Sequence, residues 1–247
     1  NVSKMEEKSV TGVIVLVTPF KENSEVLQVL TQEQGLIGLL CRGSKNIKSK
    51  FLNKTRLYNY ATFQIKLKSE GLSLVTEINV IDYYTTLHSN ITLISYLSYL
   101  GSLTYQVAKQ DESKSILNIF LSTLDKLEKG LDPLVLCNIL ELKYLKYLGI
   151  NLNLDTCVKC GKKNNIITLN GEAGGLICEK CYQNEYIVSK KSIILIRNYM
   201  KIDINSLKEI RVSEVTKREI NLFITNYYQN YTGLYLKLKN NLNKLIM

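Results

Sequence analysis

Four cysteines constrain this chain more than any other residues. Cys157-Val-Lys-Cys160 and Cys178-Glu-Lys-Cys181 are two Cys-x-x-Cys pairs with 17 residues between them. Two intervening residues let both thiolates of a pair reach one ion from a tight turn, and a second turn completes a tetrahedron. Gly161 follows the first pair and Gly174-Gly175 precedes the second, where sharp turns are needed. The spacing predicts a zinc-ribbon-like four-cysteine module holding one structural zinc ion. Four thiolates leave no open coordination position, so the metal would fold the module rather than catalyse. A redox Cys-x-x-Cys needs no matched second pair. Cys41 and Cys137 stand among apolar residues and read as ordinary buried thiols.

The remaining composition narrows the chemistry. The 247 residues suggest two or three modules. With 45% hydrophobic and 22% charged residues the chain can bury a core and is not globally disordered. It has one histidine, His88, so two-His metal sites, Cys-His hydrolases and His-based acid/base pairs are poor expectations. The stretch Gly38 to Lys45 ends in Gly-Ser-Lys, whereas a phosphate-binding loop needs Gly-Lys-Ser/Thr. His88-Ser89-Asn90 is not His-x-Glu and no Pro precedes either cysteine pair, which sets aside a zinc nucleobase deaminase. His88 therefore reads as a structural residue. Residues 1–10 carry charges and lack an apolar core, so no export signal is expected. Tyr83 to Ala108 holds no Asp, Glu, Lys or Arg, but Thr, Ser, Asn and Gln punctuate it. A buried helix is expected there, with no membrane partner. A reducing cytoplasm follows as the expected location.

The net charge of +10 is uneven. Residues 1–80 carry +4, residues 81–150 carry −1 and residues 151–247 carry +7. Between Glu33 and Glu70 lie Arg42, Lys45, Lys48, Lys50, Lys54, Arg56, Lys66 and Lys68, with no acid. Clustered cations focus a field that attracts phosphate, so these residues are candidate DNA contacts. A merely solvated loop is the competing reading.

Periodicity divides the chain. Val10 to Phe20, Val26 to Leu30, Leu36 to Cys41, Tyr60 to Lys68 and Leu72 to Ile81 read as five strands. Ala61, Phe63, Ile65 and Leu67 alternate with Thr62, Gln64, Lys66 and Lys68. Leu72, Leu74, Ile78 and Val80 are expected on one face of the last strand. Five short strands suggest a small OB-like barrel, whose closure removes exposed edges. Phe51, Tyr58 and Tyr60 adjoin the cations; they could stack on bases, though core packing is the preferred reading for each. Further on, Ile116, Phe120, Leu124 and Leu127 mark one helix, and Cys137, Leu140, Tyr144 and Leu148 another. Asp132-Pro133 starts the second and Gly149 stops it.

The order of these features resembles the bacterial recombination mediator family RecO. Glu7 to Leu16 resembles the family's opening strand and Glu22 to Thr31 its second. Gly35, then Cys41-Arg42-Gly43-Ser44-Lys45 and Ser49-Lys50, resemble its basic loop. Glu141-Leu142 through Gly149, then Leu154-Asp155-x-Cys157-x-x-Cys160-Gly161, resemble the helix leading into the knuckle. Gly174-Gly175-Leu176-Ile177-Cys178-x-x-Cys181 resembles its closing half. Leu152 stands where the family often has Pro, and Glu22-Asn-Ser24-Glu25 replaces an acid-Ser-Asp pattern. Neither change removes a ligand or a cation.

The combined expectation is an α+β multidomain chain with an N-terminal OB-like β-barrel, an α-helical domain and a four-cysteine zinc-ribbon-like insertion. Its parts are residues 1–82 (DNA-binding barrel), 83–152 (helical domain), 153–187 (zinc module) and 188–247 (C-terminal helices packing on the helical domain). The resemblance implies a non-enzymatic protein of recombinational repair. Such proteins bind single- and double-stranded DNA, anneal complementary strands and, with RecR, help RecA displace single-strand-binding protein. The resemblance adds single-strand-binding protein, and RecA indirectly, as candidate partners and a nucleoid-associated location, and leaves open whether single-strand-binding protein is touched directly. The alternatives are a zinc-ribbon interaction scaffold or a nucleic-acid-modifying enzyme.

Overall fold

A computed structural model describes residues 6–68 and 71–246. Expectations for residues 1–5, and for Ser69 and Glu70 at the end of the acid-free interval, lie outside the described residues. The chain forms two compact units, Asn1–Glu128 and Lys129–Met247.

The first unit opens with β1 (Glu7–Phe20), β2 (Ser24–Thr31), β3 (Gly35–Cys41), β4 (Tyr60–Lys66) and β5 (Ser73–Asp82). They close into a barrel in the order β1-β2-β3-β5-β4. All pairings are antiparallel except β3 with β5. This is the five-stranded OB-type barrel that the alternation predicts.

Closure depends on β1 changing partner along its length. It pairs with β4 over Glu7–Val13 and with β2 over Gly12–Phe20. At Gly12 both neighbours are present, and a Cβ there would collide with the Leu30 carbonyl and the Thr31 backbone. Just beyond, the register slips between Ile14 and Leu16, so Val15 is a bulge that bends the strand. Val10 and Ile14 then point inward with Leu27, Val29, Leu39, Phe63 and Ile65. Each such side chain contributes roughly 1.5–3 kcal/mol on burial.

β4 alternates as expected, with Ala61, Phe63 and Ile65 buried. β5 does not. Its register shifts opposite Gln64 and Ile65, which leaves Thr76 as an extra residue. The buried pair is therefore Val75 and Ile78, not Leu74 and Ile78. The Thr76 hydroxyl donates to the Gln64 carbonyl at 3.1 Å and fixes the bulge.

Helices α1 (Thr85–Ser89), α2 (Ile94–Ala108) and α3 (Lys114–Glu128) complete this unit, with a 3-10 turn at Ile91–Leu93. Helix α2 lies against β1. Gly101 permits the approach, since a Cβ there would stand 2.7 Å from the Tyr58 hydroxyl and 3.2 Å from the Val15 carbonyl. Among the described residues no helix is long and apolar enough to cross a membrane.

The second unit holds α4 (Pro133–Tyr144), the hairpin β6 (Ile166–Asn170) and β7 (Gly175–Cys178), then α5 (Lys190–Lys201), α6 (Glu214–Tyr231) and α7 (Lys237–Ile246). The Asp132 carboxylate accepts from the Leu134 and Val135 N–H groups, and Pro133 fills the first turn. Gly149, in the left-handed region, ends the turn that follows α4. Glu141 on α4 meets Lys239 on α7 at 2.8 Å, and both side chains are fully buried. Lys239 also donates to Asn221 Oδ1 on α6 at 2.8 Å. The Tyr228 hydroxyl donates to the Glu141 carbonyl at 2.6 Å. Three helices are thus tied at one polar point inside an apolar core.

Three outcomes follow for stability. Gly12→Ala should cost about 1–3 kcal/mol or more by forcing β1 and β2 apart, measured by urea unfolding. Lys239→Met should cost about 3–5 kcal/mol by leaving Glu141 charged and buried. The double variant Glu141→Leu with Lys239→Met should recover much of that loss in the same assay.

Candidate nucleic-acid interface and metal centre

The chain between β3 and β4, residues 42–59, contains neither helix nor strand. Such a segment must satisfy its backbone by other means. Phe51 is sunk into the barrel core. The Thr55 hydroxyl donates to Glu25 at 2.9 Å. The buried Asn59 amide donates to the Asn53 and Lys54 carbonyls at 2.9 and 3.1 Å. The Lys45 N–H donates to the Asn23 carbonyl at 3.3 Å, and the Tyr58 hydroxyl to the Leu97 carbonyl. The loop is therefore pinned along its length to the barrel and to α2.

Its cations face outward. Arg42, Lys45, Lys48, Lys50 and Arg56 are exposed, and Lys68 beyond β4 is exposed as well. Two of the eight sequence candidates are partly committed elsewhere. Lys54 is half-buried and donates to the Ile78 carbonyl at 3.0 Å. Lys66 pairs with Glu7 at 3.5 Å. Register places Leu40, Leu74 and Lys66 in one row across β3, β5 and β4. Lys66 is thus two strand spacings, about 10 Å, from the strand that leads into Arg42. Six candidates share the loop, and Lys66 and Lys68 lie across β5 from its start.

The aromatic residues divide. Phe51 and Tyr58 are buried and serve packing, whereas Tyr60 is half-buried and its hydroxyl accepts from Gln32. Sequence reasoning missed Lys21. It sits on the β1–β2 turn beside Asn23 and Ser24, which contact Lys45 and Gly43. It also missed Ile47, which is 89% exposed between Lys45 and Lys48 at the loop's surface. Lys21 carries no sequence signal, because only folding brings the turn and the loop together, and nothing in the sequence marks the apolar Ile47 as exposed.

The four cysteines converge in the second unit. Their sulfur atoms all lie within 4.8 Å of one another, and Cys160 Sγ is 3.6 Å from Cys178 Sγ. A tetrahedral ion with metal–sulfur bonds of ~2.3 Å needs sulfurs about 3.8 Å apart, so the set could hold a metal ion. The first pair turns at Gly161, whose N–H donates to the Cys157 carbonyl at 2.8 Å. The Val158 N–H donates to the Leu176 carbonyl at 2.9 Å and ties this turn to β7. Lys159 clamps the second pair through the Cys181 carbonyl at 3.1 Å and Glu185 at 2.8 Å.

The thiols are electrostatically unequal. Burial works against ionisation of Cys157, but backbone N–H groups of Cys178, Lys159 and Cys160 outweigh it and bring the thiol down to about 6. Cys181 is pushed up to about 12, first by its contact with Cys160 and then by burial. Cys157 thus ionises more readily than Cys181, and a bound divalent cation would favour the thiolate form of both. Cys41 is different: burial and the nearby Glu25 push it up to about 12, as an inert core thiol requires. Elemental analysis of the purified chain should find about one metal ion per chain. Cys178→Ser should weaken its retention against a chelator by more than ~100-fold, beyond the effect of an outer-shell change.

Comparison with known proteins gives these features a context. The model for "Recombination protein O N terminal" matches residues 5–84, and that for "Recombination protein O C terminal" matches residues 88–240. A DNA repair protein RecO from Bacillus pumilus is 29% identical over 238 residues, covering 95% of this chain and 93% of that protein. One from Halalkalibacterium halodurans is 27% identical over the same shares. One from Listeria monocytogenes is 26% identical over 230 residues, 92% of this chain and 90% of the relative. These descriptions name recombination and DNA repair and no catalytic activity. With its OB-type barrel, its helices and its four-cysteine cluster, this chain belongs to the RecO family of DNA repair proteins.

Proposed function

We propose that this protein is a non-catalytic mediator that binds single- and double-stranded DNA through its barrel and anneals complementary strands. The observation that carries this is the loop 42–59, which holds five exposed cations and no acid on a rigid attachment. Anchoring fixes the charges relative to one another, so phosphate binding does not have to order the loop first. Arg42, Lys45, Lys48, Lys50, Lys54, Arg56, Lys66 and Lys68 are the proposed contacts. Lys54 contributes least, because its ammonium already serves the Ile78 carbonyl. Contacts to phosphate give affinity without sequence preference. Clustered cations also offset repulsion between two strands, which is what annealing requires.

The four cysteines would hold one zinc ion, chosen by an all-thiolate tetrahedral set, and its role would be to fold the module. The wider reading keeps RecR as protein partner, RecA loading as outcome and a nucleoid-associated, cytoplasmic setting, with single-strand-binding protein as a further contact. The functional division into residues 1–82, 83–152, 153–187 and 188–247 belongs to the same proposal.

The test is oligonucleotide binding and annealing across a salt series. Charge reversal at Lys45, Lys48 and Arg56 together should abolish most affinity near physiological salt. It should also flatten the slope of log K against log salt by about 2 or more, since each lost phosphate contact removes about 0.7–0.9. A triple variant that binds and anneals as the parent does would remove this loop from the mechanism.

A further inference from the structure

A small hollow in the first unit brings in groups beyond the eight candidate cations. It is lined by Arg56, Tyr83, Thr85, His88 and Ser89 and encloses about 220 Å³. Pockets that take whole small molecules measure roughly 300–1,000 Å³. This one suits a single ring belonging to a longer chain. We infer that it seats one nucleotide of single-stranded DNA, with Tyr83 stacking on the base and Arg56 and His88 holding the adjoining phosphate. The inference deepens the DNA-binding reading above and rests on it.

Each lining group has a physical reason to take part. Tyr83 is 42% exposed, while Phe51 and Tyr58, the aromatics inside the loop itself, are 6% and 3% exposed. Tyr83 thus offers the ring face that those two cannot. Base–aromatic stacking tolerates any sequence, because every base has a π-face. Arg56 is exposed, and among the described residues no carboxylate pairs with it. Its planar fork suits a phosphate. Thr85 and Ser89 complete the lining, and the Ser89 hydroxyl donates to the Thr86 carbonyl at 3.1 Å.

His88 is held rather than loose. Its ring stacks on Tyr58, with centroids 6.5 Å apart and planes at 28°. Burial, then the Arg56 cation, lower its pKa below the ordinary histidine value. The Leu57 backbone and the Glu128 carboxylate on α3 act in the opposite direction without reversing it. Glu128 is itself engaged by the Thr86 and Leu87 N–H groups, each at 3.0 Å. A phosphate entering beside His88 would favour the charged ring and raise that pKa. Binding then takes up a proton, and affinity rises as pH falls through the free and bound values.

The single histidine makes the test direct, because the whole chain gives one imidazole Hε1 resonance. Oligothymidylate added to the full-length protein should shift that resonance saturably and raise its titration midpoint. Tyr83→Ala should weaken oligothymidylate binding about 5- to 100-fold, and Tyr83→Phe should not. Arg56→Gln should lower the salt slope by about 0.7. His88→Gln should remove the gain in affinity between about pH 7.5 and about pH 5.5. Binding followed by fluorescence anisotropy separates the two readings. If oligothymidylate binds while the His88 resonance stays fixed, or while Tyr83→Ala binds as tightly as the parent, the hollow is not the seat and the DNA-binding reading survives. If no oligonucleotide binds even at low salt, the DNA-binding reading itself fails.

Discussion

The two-sided pairing of β1 is the constraint on which the first unit depends. A strand that served only β2 would leave β4 as an open edge, and an open edge invites pairing with other chains. Because β1 meets β4 over its first half and β2 over its second, the sheet closes. The bend is made by Gly12, which admits the Leu30 carbonyl, and by the bulge at Val15. The same bend presents Val13 and Val15 on the outer face, where they are buried, with α2 packed on β1. The Tyr58 N–H and the Asn59 carbonyl bond Ile14 where β1 bends, so the end of the cationic loop is fixed by barrel closure itself.

The second unit solves a different problem. Its helices bury a charged pair, Glu141 with Lys239, which together with Asn221 joins α4, α6 and α7 at one point. A buried pair adds little net stability, but it penalises every register in which the charges do not meet. The knuckle region has the opposite character. It is short and rich in turns, and its strands among the described residues are the two of one hairpin, held to α5 by Arg197 on the Leu154 carbonyl and to α6 by Tyr231 on the Glu172 carbonyl. Sulfur donors gathered within 4.8 Å supply there what a core cannot, provided an ion binds them.

The sequence showed those parts of the fold that repeat. The alternation of Ala61, Phe63 and Ile65 reads as a strand because each residue obeys one rule. The Asp132-Pro133 start of α4 is legible for the same reason. The phase of β5 was not, since one extra residue at Thr76 moves burial from Leu74 to Val75 and leaves no mark on composition. In sequence Glu141 is one of three polar or charged residues besides Tyr144 on an apolar helix and Lys239 one lysine among many; only packing joins them. Within the candidate interface, the cations were visible as a run without acids. Their division into exposed residues and committed ones was not, because Lys54 and Lys66 are tied down by β5 and β1, which are remote in sequence.

That division bears on how a loop can be both rigid and positive. Rigidity usually costs charge, since the easiest way to hold a lysine-rich segment is to pair its ammonium groups with carboxylates. Here the anchors are almost all neutral. Phe51 is held by the core, Ser44 by the Cys41 carbonyl, Asn59 by two carbonyls and Tyr58 by the Leu97 carbonyl. Among the described residues the one acid that reaches the loop's anchors, Glu25, accepts from the Thr55 hydroxyl and not from a cation. Of the loop's cations, only Lys54 gives up its head group to the backbone among the described residues. Charges left unpaired on a fixed support repel one another, and that repulsion is relieved when a polyanion arrives. A loop anchored by salt bridges would have to break them before binding the same phosphates. Neutral anchoring removes that step, which is why the attachment of the loop matters as much to the proposed interface as its lysines do.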